Sequence, residues 1–392
     1  MLFSIAVIMF SGFLLGWICR KVKFPPLFGM IIAGILLGPH AFGLIDVSVL
    51  NISAELRKIA LIIILIRAGL KLDTADLKKN GRPAVLMCFV PACAEMLGMV
   101  LLAPLFLGMS RLDAAVLGAV IGAVSPAVIV PKMIDLIDGG YGTEKGIPQM
   151  ILAGASVDDV FVIVMFSTFT GLAAGGSVSV MSFVNIPISI ILGIGAGILV
   201  GMVLYKWFTA VKMRSTVKMI MLLCTAFCLS AFEDGFSGKI PFASLIGVMA
   251  VGMTIKQKDG KLAAELSAIY DKLWIPSEIL LFVLVGASVE IESALSAGIS
   301  AILLILCVLL FRMAGVFICT LGTKLNRRER LFCMLAYMPK ATVQAAIGGI
   351  PLAMGLACGE TVLTVSVIAI MITAPLGAFA IDLTYKRCLT NK

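Results

Sequence analysis

The stretch Ile151-Leu-Ala-Gly-Ala-Ser-Val-Asp-Asp-Val-Phe-Val-Ile-Val-Met165 decides how this chain folds. Its two acids, Asp158 and Asp159, lie 12 and 13 residues into a stretch, residues 146–174, that carries no other charge. A helix of that length outruns a hydrocarbon layer about 30 Å thick at 1.5 Å rise per residue, so both acids fall near the bilayer centre. Each charge facing lipid there costs roughly 2.5–3.5 kcal/mol on insertion scales. Two in succession therefore imply a transmembrane helix packed around a polar interior.

Working outward, the same apolar texture fills the chain. Of 392 residues 61% are hydrophobic and 14% charged, with a mean hydropathy of +1.12. A soluble chain carries about 25% charged residues, so a soluble globular fold is excluded. Spans are expected near 2–19, 25–43, 55–70, 83–108, 112–131, 146–174, 183–205, 217–232, 240–255, 275–290, 298–322, 331–356 and 361–384. These thirteen make an all-α, polytopic membrane protein whose termini lie on opposite sides. Alternate connections hold 24 of the 31 Lys and Arg against 4 on the other side, Arg57 and Lys58 among them. By the positive-inside rule the C-terminus is expected in the cytoplasm and the N-terminus outside. That placement also accounts for the net charge of +9 without nucleic acid. The first span shows no small-residue cleavage pattern and is expected to be retained.

Ten cysteines sit without a Cys-x-x-Cys pair and read as small buried hydrophobes. The single histidine, His40, has no second imidazole to make a metal site or a general base. Connections are too short to house a soluble catalytic domain, so the chain is read as no enzyme, without cofactor or catalytic residue.

Spans seven apart match in kind. Span 2 (from Phe24-Pro-Pro) and span 9 (from Pro241) each open on proline and run into small residues, and span 3 (ending at Asp73) matches span 10 (ending at Glu290). Span 4 carries Glu95 where span 11 carries Arg312. Span 5 holds Val124-Ser-Pro-Ala-Val-Ile-Val-Pro131, and span 12 holds Met338-Pro-Lys-Ala-Thr-Val-Gln344. An odd offset makes equivalent spans cross in opposite directions, the signature of an inverted-topology transporter with broken helices at its binding site. One transporter domain, 1–392, is expected, with repeat one over about 1–182, a linker span over about 183–210 and repeat two over about 211–392. Pro126 and Pro131 should leave carbonyls near residues 122 and 127 unpaired, as ligands for a cation.

Five charges are expected at mid-depth: Glu95, Asp158, Asp159, Arg312 and Lys340. One acid is in excess, the valence of one monovalent cation or proton. Arg67 lies three residues from the end of span 3 and Glu278 near the start of span 10, and both are left outside this count. Adjacent helical residues point about 100° apart, so one Asp is expected to pair with Lys340 and the other to face the cavity. Glu95 and Arg312 are expected to pair with each other. Burial and a nearby cation act oppositely on an acid's proton affinity, which lets proton and metal cation compete for one carboxylate.

At these residues the chain resembles the monovalent cation:proton antiporter superfamily, and most its sodium/proton antiporter NHA branch. The carriers are Ile66-Arg-Ala-Gly-Leu-Lys-Leu-Asp73, Val124 to Pro131, Gly140-Tyr-Gly-Thr-Glu-Lys-Gly146, Ala155-Ser-Val-Asp-Asp159 and Met338 to Gln344. The resemblance implies a fold with two crossed broken helices in a core domain that moves against a panel, commonly in a homodimer. It implies that Asp159 is the principal ion- and proton-binding carboxylate, with Asp158 beside it as partner of Lys340, and that span 5 supplies backbone oxygens and the Ser125 hydroxyl. Many relatives carry Thr-Asp where this chain has Val124-Ser125, which removes one oxygen and turns an acid into a hydroxyl. Asp-Asp with Lys340 resembles charge-moving exchangers, whereas Glu95 and Arg312 resemble electroneutral ones, and the stoichiometry stays open.

The function expected is exchange of Na+ or Li+ for H+ by alternating access, serving pH homeostasis, with Asp159 and Asp158 as metal and proton ligands. K+/H+ exchange and sodium-coupled symport of an organic anion are the alternatives. An intramembrane aspartyl protease would need its acids on two facing helices, not consecutive on one. A channel would show filter-like repeats, and none appears. Short connections and the lack of a regulatory tail point to a bacterial inner membrane.

Overall fold

The computed structural model describes residues 1–22, 24–71, 74–175, 180–235, 242–289 and 291–391, less the side chains at 74–80, 127, 131, 156, 160, 180–187, 190, 234 and 291–297. Asp73, Lys239, Pro241 and Glu290, and the side chain of Pro131, lie outside the described residues.

The described residues form helices α1 (Leu2–Lys21), α2 (Pro26–Leu37), α3 (Val47–Asn51), α4 (Ser53–Lys71), α5 (Thr74–Met87), α6 (Val90–Leu107), α7 (Arg111–Ile121), α8 (Pro126–Asp138) and α9 (Ile147–Ala173). The second half continues with α10 (Val180–Ala210), α11 (Ser215–Gly235), α12 (Ser244–Lys258), α13 (Gly260–Ala287), α14 (Ile291–Thr320), α15 (Arg327–Ala336), α16 (Thr342–Ile347), α17 (Ile350–Ala353) and α18 (Gly359–Cys388). The only extended pairing among the described residues is one antiparallel bridge, Tyr141 to Asn391. Among the described residues seven helices are long and apolar enough to cross a membrane, α9 and α18 among them, and shorter apolar helices such as α2 accompany them. Phe10, Phe13 and Trp17 on α1 stand exposed, as lipid-facing side chains do. All ten cysteines are free; Cys88, Cys319, Cys333 and Cys358 are buried, whereas Cys93, Cys224 and Cys228 are exposed, so burial is not general among them.

Two compact units interleave along the chain. One comprises Met1–Arg57, Ala75–Gly176 and Ile279–Lys392, the other Lys58–Thr74 and Ser177–Glu278. In the second unit, Gly193, Gly197 and Gly201 form a stripe at four-residue spacing on α10. A Cβ on Gly197 would come within 2.3 Å of the Gly247 carbonyl of α12, so only a bare backbone permits this approach. Arg67 and Lys71 both bond Asp271 in this unit, Lys71 at 2.7 Å. Arg67 thus has its own acid, and both side chains of the pair are partly exposed.

The first unit carries the broken helices. Span 5 appears as α7 and α8, interrupted at residues 122–125. Ser110 starts α7 by accepting from the Asp113 amide at 3.1 Å. Pro126 begins α8, where a missing N–H leaves no bond broken, so it terminates the break without kinking a continuous helix. Span 12 appears as α15, α16 and α17. Asn326 and Glu329 cap α15 reciprocally, at 2.9 and 2.7 Å, and the buried Glu329 also takes Lys145 at 2.9 Å. Met338, Pro339 and Lys340 fall in the gap before α16.

Helices α6 and α14 pack closely because glycine faces bulk on both. A Cβ on Gly98 would sit 2.7 Å from the Phe311 ring, and one on Gly315 would sit 2.8 Å from the Pro91 Cα. Glu95 lies between Pro91 and Gly98, and Arg312 between Phe311 and Gly315, so these contacts bring the two charges face to face.

Arg57, counted among the four Lys and Arg of the outer side, is buried. It is 4% exposed, donates from Nε to the Ser53 carbonyl at 3.2 Å and lies against Gly349, between α16 and α17. Four residues into α4, its long side chain reaches a gap that glycine leaves open.

Candidate functional site

Both breaks meet in one place. The Ser125 amide donates to the Pro339 carbonyl at 2.8 Å, joining the gap in span 5 to the gap in span 12. Around this bond lie Glu95, Asp158, Arg312 and Lys340, each at most 1% exposed, and Asp159 at 7%.

Arg312 organises the cluster. A helix ends with carbonyls that have no partner within it, so α7 and α15 each present a negative end at the gap. Arg312 Nε donates to the Tyr337 carbonyl at 2.6 Å, and its Nη1 donates to the Gly122 carbonyl, so one guanidinium closes both ends. Nη1 also meets Glu95 at 2.6 Å and Nη2 meets Asp158 at 2.9 Å. Only a fork with five donors on a plane can reach four acceptors this way. The expected Glu95–Arg312 pair is present.

Lys340 does not pair as expected. Its ammonium bonds Glu95 Oε2, while Asp158 Oδ2 takes Arg312 and the Val124 amide, the latter at 2.8 Å. The physical reason lies in the break: unwinding before α8 frees the Val124 N–H, which with Arg312 fills Asp158 Oδ2. Two cations and two acids thereby neutralise one another. Asp159 makes no ion pair among the described residues, and it is the excess acid.

Of the two carbonyls expected to be free, the one at Gly122 is taken. Gly122 serves Arg312, and Gln344 donates from Nε2 to Ile121 at 3.2 Å and Ala123 at 2.8 Å. Unpartnered buried oxygens at the crossing are instead Asp158 Oδ1, Asp159 Oδ1, Ser125 Oγ and Thr342 Oγ1. Ser125 stands at the N-cap of α8, where a serine hydroxyl ordinarily accepts from the first turn, yet it caps nothing. Buried polar atoms are nearly always satisfied, so four orphans at one crossing call for a ligand or a mobile proton. Three of the four belong to residues singled out from the sequence. Thr342 and Gln344 were quoted there only as motif letters; a hydroxyl and an amide inside an apolar span were the available signal.

Apolar helices folded around broken helices and an uncompensated mid-depth carboxylate define a secondary transporter. Residues 7–386 match the family described as sodium/hydrogen exchanger, transmembrane. Sodium/hydrogen exchanger 9B2 of Mus musculus is 33% identical over 410 residues, covering 99% of this chain and 74% of that protein. Sodium/hydrogen exchanger 9B1 of Homo sapiens is 32% identical over 418 residues, covering 100% and 78%. Among solved structures, the sodium proton antiporter MjNhaP1 from Methanocaldococcus jannaschii superposes with a TM-score of 0.87 at 19% identity, over 98% of this chain and 97% of that one, a likeness of fold. The chain belongs to the sodium/hydrogen exchanger family, within the monovalent cation:proton antiporter superfamily. It is a multi-pass membrane transporter with the antiporter fold and not an enzyme; ions are its substrates and no cofactor is required.

Proposed function

We propose that the chain exchanges a monovalent cation, Na+ or Li+, for H+ by alternating access, with Asp159 as the carboxylate that holds either ion. The observation that carries this reading is charge bookkeeping in the buried cluster. Glu95 and Asp158 are matched by Arg312 and Lys340, and Asp159 is left over. An ionised carboxylate at this depth is unfavourable unless a cation neutralises it, so the site exposed to either side fills with a proton or a metal cation. Asp158 Oδ1 and Ser125 Oγ are the further oxygens offered to the cation, of the kind hard cations take. Because the loaded forms differ only in which cation is bound, the site discharges one ion by accepting the other. Arg312, Lys340 and Glu95 compensate charge and hold the breaks together.

The charge asymmetry of the connections supports a cytoplasmic C-terminus and an outer N-terminus. The division into repeats at about 1–182 and 211–392, and a homodimer, belong to the same proposal.

The test is transport into proteoliposomes that enclose a pH dye. With a proton gradient imposed, added Na+ or Li+ should move protons. If neither does, and K+ alone is active, the cation assignment is wrong; if none of the three is active, exchange itself is wrong.

A further inference from the structure

We propose that Gln344 is a positioning residue for exchange: it locks the two broken helices at one crossing and keeps the Ile121 and Ala123 carbonyls away from the transported cation. This rests on the ion-site reading above.

Gln344 is fully buried on α16, two residues beyond Thr342. Its side-chain oxygen accepts from the Ala341 amide at 2.9 Å, while Nε2 donates to Ile121 and Ala123. The amide's orientation is fixed by its partners, since the end facing an N–H must be oxygen and the end facing two carbonyls must be nitrogen. One side chain thus satisfies the carbonyl end of α7 and the amide start of α16, groups that would otherwise be orphaned in a water-poor interior.

Arg312 takes the Gly122 carbonyl between the two that Gln344 holds. Three consecutive carbonyls, at 121, 122 and 123, are therefore spoken for. The side-chain oxygens that remain unpartnered at residues 125, 158, 159 and 342 are carboxylate and hydroxyl oxygens. This difference has a consequence for coupling. A carbonyl binds a metal cation but does not hold a proton near neutral pH, whereas a carboxylate binds both. A site built on carboxylates makes cation and proton mutually exclusive. Freed carbonyls would add cation affinity that protons do not oppose, and exchange would slip.

The readout is the pH dependence of the apparent KM for Na+. Competition by one proton raises KM about tenfold for each pH unit lowered on the acid side. Gln344→Met removes all three hydrogen bonds at nearly constant volume. Gln344→Leu removes the same three bonds with a branched apolar side chain and adds no titrating group. Both are compared with the parent in proteoliposomes, beside Asp159→Asn, and Na+-induced thermal stabilisation of the detergent-solubilised variants at two pH values serves as a second measure that needs no transport.

A shallower rise of KM, at least halved in slope for both variants, and a Na+ stabilisation that no longer weakens in acid are expected. A purely structural role would lower the folded amount or the maximal rate and leave the slope at the parent value. That result, next to an inactive Asp159→Asn, overturns the role of Gln344 and spares the ion site. An Asp159→Asn protein that transports normally overturns the ion site, and the role of Gln344 with it.

Discussion

Arg312 Nη2 stands 2.9 Å from Asp158 Oδ2, and the next residue in the chain, Asp159, pairs with no cation among the described residues. Consecutive acids on one helix are thereby given different tasks. Asp158 is tied into the frame through Arg312 and the Val124 amide, and Asp159 is the acid to which the proposal gives exchange.

Arg312 should tolerate no substitute. Lys supplies one charge but cannot reach Glu95, Asp158, Gly122 and Tyr337 together. Removing one member of a buried charge cluster costs about 3–5 kcal/mol, so Arg312→Ala should unfold well below the parent temperature, with Arg312→Lys little better. Fluorescence-detected size exclusion after heating reads this out. Equal midpoints for all three proteins would contradict the role.

Lys340 should couple to Glu95 and not to Asp158. In double-mutant cycles with Lys340→Met, Glu95→Gln should show a coupling energy of roughly 0.5–3 kcal/mol, as residues in one ion network do, and Asp158→Asn a smaller one. The reverse order would restore the pairing expected from the sequence.

Gly98→Val and Gly315→Val each place carbon where the facing helix already stands, at Phe311 and Pro91. Overpacking of this kind costs about 1–3 kcal/mol. Neither glycine touches the charges, yet both variants should lose exchange as α6 and α14 part and Glu95 leaves Arg312. Exchange at the parent rate in both would show that the close approach is dispensable.

Asp271 gives an acid limb to stability. Burial pushes its carboxyl up, but the hydrogen bond from Lys71 and the charges of Arg67 and Lys71 outweigh burial and hold it below the usual carboxylate range. A folded-state value depressed in this way stabilises fully above the unfolded value, about 3.9, and the contribution fades as pH falls through the folded one. Asp271→Asn should lower the melting temperature near neutrality and flatten its decline below about pH 4. An unchanged melting curve across pH 3–7 would remove this pair from the account.

Much of the fold follows from composition and spacing because membrane insertion penalises every charge, and those that remain at mid-depth announce themselves. Glu95, Asp158, Asp159, Arg312 and Lys340 were all legible for that reason, and so were the breaks at Ser125-Pro126 and Pro339-Lys340. Their pairing was not. Which acid meets Lys340 depends on where unwinding turns the Val124 amide, and no residue spacing encodes that. Gln344 hid because it is neutral and carries no insertion penalty that stands out. Arg57 misled because its position at a span end resembles a topology signal, while its side chain folds inward to Gly349. The second unit's Arg67–Asp271 pair was missed for a related reason: α13 begins well before the apolar run that marked span 10, and Asp271 lay outside the expected span.

The most direct test of the central claim is proton release from purified protein when Na+ is added in weakly buffered detergent near neutral pH. Competition at Asp159 predicts release of up to about one proton per chain, saturating with Na+, and none from Asp159→Asn. Release that persists undiminished in Asp159→Asn and vanishes in Asp158→Asn would contradict the assignment and place the exchanging carboxylate on the other Asp.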